Sequence, residues 1–279
     1  MNSLGVLGVD ATGSIEPDLE SEYLSEVKER VASGEYNRPV DHSVACGCID
    51  GRCGGSALHV SSAGGTIGLA VANDLSQYSF GQKLSTGEML MGTIMLLESR
   101  GAPIGGHCDD HSSSAMKTGC GANDNLQVIY ANIVSKQETV RSIATRIFGS
   151  QIDESTHAKI INNASERSEF SNPSLLLQIV KDSQNSSVDT LKGNHHEVVI
   201  AVNRRIGTTL DHHTLSIDYG DEYQAFNVDV WAFEESARSV ANNPNDQEEV
   251  NAIVVALAYY NIATALTLCG PDMEVIVVE

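Results

Sequence analysis

The chain has few basic residues, and no two of its cysteines have the CxxC spacing. Lysine and arginine number 17 against 37 aspartates and glutamates, which gives a formal net charge of -20. A surface of this sign repels nucleic-acid phosphates and anionic lipids, so neither is expected as a partner. The six cysteines include no CxxC pair, which argues against a thiol redox protein and against a closed structural zinc site.

The first residues are not expected to form a secretory signal, and the sequence contains one long apolar run. The first residues have no basic start followed by an apolar core, so the expected compartment is the cytoplasm. There cysteines stay reduced, and metal binding or packing outranks disulfide formation. The apolar run 250–268 contains Asn251 and Asn261 and ends before Gly270 and Pro271. These features predict a buried helix rather than a membrane span.

Alternating strand and helix patterns predict an α/β fold with a mixed β-sheet flanked by helices. We expect one domain over 1–279, with a helical extension at 1–40 and a variable excursion at 150–195. The glycine-rich segment 61–70 is predicted to be a loop. Helices are predicted at 20–33, 86–100, 124–135, 138–148, 173–181 and 250–268, and strands at 43–45, 102–107, 196–203, 213–218, 225–233 and 273–279.

Metal-type side chains follow two of the predicted strands, where α/β folds gather their functional groups. Cys46 and Cys48 follow the strand 43–45, His107 ends the second strand, and Cys120 comes shortly afterwards. Two cysteines and a histidine from separate segments can make three corners of a zinc tetrahedron and leave the fourth open to water. A single cytosolic cysteine is more often a small buried hydrophobe. The prediction therefore rests on the combination of these cysteines and the histidine rather than on any one of them.

This combination resembles the carbonic anhydrases. CIDGR (48–52) is similar to the CxDxR motif of the beta class, and GCGA (119–122) resembles the end of its HxxCGA motif. SSAGG (61–65) resembles the Arg-Asn-Ala-Gly stretch, with two serines in place of Arg-Asn. His107 and Cys120 are thirteen residues apart, which, with GGHCDDH (105–111), is closer to the cadmium-type (zeta) class. The resemblance covers about residues 45–125.

The resemblance implies a lyase that reversibly hydrates CO2 to bicarbonate with a metal-bound hydroxide. One Zn2+ or Cd2+ per chain would be held by Cys48, His107 and Cys120, with His111 as the alternative to His107. Thiolates are soft ligands that suit Cd2+ as well as Zn2+, so the ligand set does not distinguish between the two metals. Cys46 has no matching role in the family.

The resemblance also assigns roles around the metal. Asp50 would hold the hydroxide, and Arg52 would keep Asp50 ionised and away from the metal. The backbone near two glycine segments is a candidate for holding the developing oxyanion, although plain turn geometry is the other role for glycines. The substrate-binding candidates are Gly64, Gly65, Gly121 and Ala122, and the proton-transfer candidates are His111 and Asp109.

Other interpretations stay open at this point. The same site could hydrolyse carbon disulfide or carbonyl sulfide, as beta-class-like enzymes can. It could also be a structural or metal-buffering site in which Cys46 or Asp50 completes four ligands. The assembly, monomer or homo-oligomer, is open as well, because beta-class relatives pair into dimers, whereas cadmium-type domains act singly or as fused repeats.

Overall fold

Helices make up most of the chain that the computed structural model describes. For the segments 45–48, 197–203 and 223–229 the description is of the backbone. The described residues are 29, 33, 45–48, 59–77, 92–93, 95–97, 99–100, 122–168, 197–203, 223–269 and 273–278. The strands are β1 (Ala45–Cys48), β2 (His59–Ser62), β3 (Glu197–Asn203), β4 (Tyr223–Asp229) and β5 (Met273–Val278). The helices are α1 (Thr66–Gln77), α2 (Ala122–Ser135), α3 (Gln137–Phe148), α4 (Glu154–Ser168), α5 (Val230–Val240) and α6 (Gln247–Cys269).

The helix α6 forms the centre of the described core. It packs against α1, α2, α3 and α5, and Tyr259 and Tyr260 on it are fully buried. A helix that is apolar around its whole circumference must be enclosed by other elements. Residues Gln247–Thr267 are long and apolar enough to cross a membrane, yet 78% of the apolar window is buried inside the protein. This burial is what a core helix shows, as the sequence predicted.

The prediction of a mixed β-sheet flanked by helices is wrong for the part of the chain that the structure describes. That part is mainly helical, and its strands are short. Every pairing there is parallel: β1 pairs with β2, and a second small sheet has the order β4-β3-β5. An alternating pattern predicts a strand but not its partner, and strand direction depends on which segments pair.

Several element predictions are confirmed. The helices α2, α3 and α6 and the strands β3 and β5 lie where the sequence placed them, and helical residues occur between 92 and 99, inside the helix predicted at 86–100. Of the extension predicted at 1–40, Glu29 is helical, and Ser33 N–H donates to its carbonyl oxygen. The strands predicted at 102–107 and 213–218 and the helix predicted at 173–181 lie outside the described residues.

Four other element predictions need correction. The strand β1 runs from Ala45 to Cys48, so Cys46 and Cys48 lie within a strand rather than after the strand predicted at 43–45. The segment 61–70 is the end of β2, a tight turn and the start of α1 rather than a loop. The strand predicted at 225–233 stops at Asp229, and α5 begins at the next residue. The helix α4 was missed because its buried face carries His157, Asn163 and Arg167 beside two apolar residues, a pattern that an apolar period does not reveal.

A buried ion pair joins α1 to α4. Arg167 donates to both carboxylate oxygens of Asp74 at 2.6 and 2.7 Å, and their side chains are only 3% and 4% exposed. Burial raises the pKa of Asp74, while the Arg167 guanidinium opposes that rise. Each charge therefore offsets part of the cost of burying the other.

Candidate functional site

The parallel pairing of β1 and β2 brings two predicted site segments together. Cys48, the last residue of β1, is in register with Ser62, the last residue of β2. Because parallel strands end at the same edge of a sheet, the segments that follow them leave from neighbouring points. The Ser62–Gly65 turn therefore begins next to the backbone of Cys48, although the cysteine motif and the glycine segment are far apart in the sequence.

The turn after β2 is tight and has a defined geometry. Gly65 N–H donates to the Ser62 carbonyl oxygen at 2.9 Å, and Gly64 and Gly65 have φ values of 73° and 56°. Both angles lie in the left-handed region, which glycine enters without steric cost. Within the described residues, no acceptor is found for the buried Gly64 N–H. Of the two glycines in this turn, both of which were predicted to bind substrate, Gly64 is therefore the candidate donor.

The turn is tied to α6 through a contact that sequence reasoning missed. Ala63 N–H donates to Asn261 Oδ1 at 2.8 Å, and Asn261 Nδ2 lies 3.0 Å from Ser62 Oγ. Asn261 is only 1% exposed. In the sequence, Asn261 is visible as an amide inside the apolar run 250–268. There it indicated a buried helix rather than a membrane span, and nothing pointed to the turn.

Close packing of α1 holds the other side of the turn. A Cβ added at Gly68 would lie 2.3 Å from Ser62 Oγ, 2.7 Å from the Ala63 carbonyl oxygen and 3.0 Å from Tyr260 Cε1. Only glycine allows the first turn of α1 to approach the strand end and α6 this closely. The turn is therefore fixed from α1 and α6 at once.

A second predicted segment meets the start of a helix. Ala122 is the first residue of α2, so its N–H belongs to the group of amides that have no acceptor within the helix. Asn132 Nδ2 on this helix donates to Thr267 Oγ1 on α6 at 2.8 Å. The same helix α6 thus supports both α1 and α2, the helices that follow the two candidate substrate-binding segments.

The chain also enters the histidine segment from a fixed point. Arg100 is 4% exposed and donates to the carbonyl oxygens of Arg238 at 3.0 Å, of Ala241 at 2.7 Å, and of Ser239. These residues lie at or just past the C-terminal end of α5, where carbonyl oxygens lack N–H donors within the helix. Arg100 therefore anchors the chain seven residues before His107.

Most of the predicted chemistry lies outside the described residues, and for Cys48 the structure gives the backbone. Among the residues that are described, no three His, Cys, Asp or Glu side chains gather as a metal site. The predicted roles of these positions stay predictions. The positions outside the described residues are Asp50, Arg52, His107, Asp109, His111, Cys120 and Gly121.

Comparison with known proteins identifies the family. The family model described as the cadmium carbonic anhydrase repeat matches residues 37–252. Comparisons with curated proteins and with solved structures give no significant match. The matched range includes the cysteine motif at 48–52, the turn after β2 and the segment 107–122, and it ends inside α6. It spans well over half of the chain, and the protein therefore belongs to the cadmium carbonic anhydrase repeat family.

Proposed function

We propose that this protein is a metal-dependent carbonic anhydrase that reversibly hydrates CO2 to bicarbonate. The family implies carbonic anhydrase activity in general. The observation that supports a site in this chain is the register of β1 and β2, which sets the end of the cysteine strand beside the Ser62–Gly65 turn. The residues of the site and their roles are part of the proposal.

Cys48, His107 and Cys120 are proposed to hold one Zn2+ or Cd2+. Two thiolates and an imidazole suit these soft or borderline metals, and Cys48 stands where a parallel strand ends. When bound, the metal would supply a hydroxide nucleophile near neutral pH. Three protein ligands leave one position for that chemistry.

Asp50 and Arg52 are proposed to control the nucleophile. The Asp50 carboxylate accepts a hydrogen bond and so orients the lone pair that attacks CO2. Arg52 pairs with Asp50, favours its ionised form and keeps it from becoming a further metal ligand. The alternation of these residues after Cys48 keeps an acceptor near the metal without closing the site.

The turn after β2 is proposed to bind the substrate oxygen. Gly64 N–H is a backbone donor without an acceptor among the described residues, and such donors stabilise negative charge as it develops on an oxygen. Gly65 N–H already donates to Ser62, so its part is to shape the turn. The amides of Gly121 and Ala122 are proposed as further donors, and His111 or Asp109 as the group that passes the proton to solvent.

Stopped-flow CO2 hydration on Zn- and Cd-loaded protein tests the proposal. Cys48→Ser should lower both metal content and rate, and Asp50→Ala should lower the rate with the metal retained. Cys46→Ser is the matched control, because it changes a thiol two residues away that the proposal leaves unused. A fully metallated wild type no faster than buffer would refute the activity. Unchanged metal content in Cys48→Ser would refute the ligand assignment.

A further inference from the structure

We propose that Asn261 is a positioning residue for the carbonic anhydrase site, acting through the Ser62–Gly65 turn. The inference rests on the proposed function, because it assigns a catalytic consequence to a contact within the fold. Asn261 lies on α6, far along the chain from the motifs, and the matched family range ends before it. Its side chain nevertheless reaches the backbone that begins the turn.

Both polar atoms of the Asn261 side chain have hydrogen-bond partners. Oδ1 accepts from Ala63 N–H at 2.8 Å, while Nδ2 donates to the Leu257 carbonyl oxygen at 2.8 Å and lies 3.0 Å from Ser62 Oγ. An amide buried to this degree would destabilise an apolar helix without such partners. A leucine or alanine could fill the same place in the core, so the amide is explained by the turn that it holds.

The turn needs an external support because of its composition. Its two glycines adopt left-handed φ values, and glycine has more conformational freedom to lose than any other residue. Asn261 fixes the first peptide group of the turn, and the bond from Gly65 N–H to Ser62 fixes the last. The Gly64 peptide lies between these two fixed points. The direction of its N–H therefore depends on the bond between Ala63 and Asn261.

Two replacements at position 261 separate positioning from general stability. Asn261→Leu removes the acceptor for Ala63 N–H, whereas Asn261→Asp keeps an oxygen that can accept this bond in either protonation state. Both destabilise the core, the first by leaving buried polar groups unpaired and the second by burying a carboxyl group. Thr264→Val is the matched control, since Thr264 is fully buried on the same helix and, within the described residues, its hydroxyl bonds only the Tyr260 carbonyl oxygen.

The measurements are hydrogen exchange at the Ala63 amide, urea unfolding, metal content, and kcat and KM for CO2 hydration. Asn261→Leu should speed exchange at Ala63 and lower kcat/KM by about 10- to 100-fold with the metal retained. Asn261→Asp should keep slow exchange and most of the activity despite its lower stability, and Thr264→Val should keep both. If kcat/KM across the three variants follows the unfolding free energy and not the exchange rate of the Ala63 amide, the proposal is overturned.

The same experiment separates this inference from the proposed function. If wild-type protein with full metal content does not hydrate CO2, the proposed function fails and the catalytic role of Asn261 fails with it, whereas the exchange data still test its hold on the turn. If wild type is active and Asn261→Leu matches it in kcat/KM, only the positioning role is refuted. Should Asn261→Leu not fold, Asn261→Ala removes the same acceptor and leaves room for water, and the same outcomes apply.

Discussion

Replacing Gly68 with alanine should both destabilise the protein and disturb the turn beside Cys48. The new Cβ would lie 2.3 Å from Ser62 Oγ and 2.7 Å from the Ala63 carbonyl oxygen, whereas real Cβ contacts stay above 3.0 Å. Overpacking of this kind costs about 1–3 kcal/mol, and the better helix propensity of alanine offsets at most about 1 kcal/mol. One of the clashing atoms belongs to the backbone, so we expect a net loss of roughly 1–2 kcal/mol.

Urea unfolding and stopped-flow CO2 hydration measure the two consequences of this substitution. A shift of a few tenths of an ångström in the turn should lower kcat/KM by about tenfold or more. Gly149→Ala is the matched control: Gly149 ends α3 with φ 65°, and alanine there should cost about 1 kcal/mol through backbone strain alone with kcat/KM unchanged. A Gly68→Ala protein that is as stable and as active as wild type would show that α1 does not press on this turn.

Three further substitutions test the core that supports the site. Asp74→Ala should lower the free energy of unfolding by about 3–5 kcal/mol by leaving Arg167 buried without its partner, whereas Asp74→Leu combined with Arg167→Met should recover much of that loss; equal losses in urea unfolding would contradict the pairing. Burial lowers the pKa of His157, which hydrogen-bonds the Tyr259 hydroxyl at 3.0 Å, so its contribution to stability is complete above pH of about 6.5 and declines as the pH falls below that value. The stability difference between wild type and His157→Gln should therefore shrink between pH 7 and 5, and a constant difference in thermal or urea unfolding would refute the assignment. Arg100→Met should cost about 2–3 kcal/mol, because several carbonyl oxygens at the end of α5 lose a charged donor, and a loss below about 0.5 kcal/mol would show that water replaces it.

The hydrophobic pattern predicted three helices with apolar buried faces, α2, α3 and α6, and they appear where expected. It did not predict α1, whose apolar residues follow a glycine-rich segment. The helix α4 was not predicted, because Asp74 and the Leu75 carbonyl oxygen on α1 accommodate its buried Arg167 and Asn163. No local pattern contains those partners. The early end of β4 at Asp229 has the same kind of cause, since a short apolar run suits a strand and a buried helix equally.

The sequence and the tertiary structure also determine different parts of the candidate site. The residue types and their order, Cys48-x-Asp50-x-Arg52 followed by a distant histidine and cysteine, indicated the carbonic anhydrase family from the sequence alone, through their resemblance to the motifs of that family. Tertiary structure decided which backbone lies beside Cys48 and what holds it there. Strand register set the Ser62–Gly65 turn next to the cysteine strand, and an amide from α6 fixed the turn. Such contacts join segments far apart in the chain, and only packing brings them within hydrogen-bonding distance.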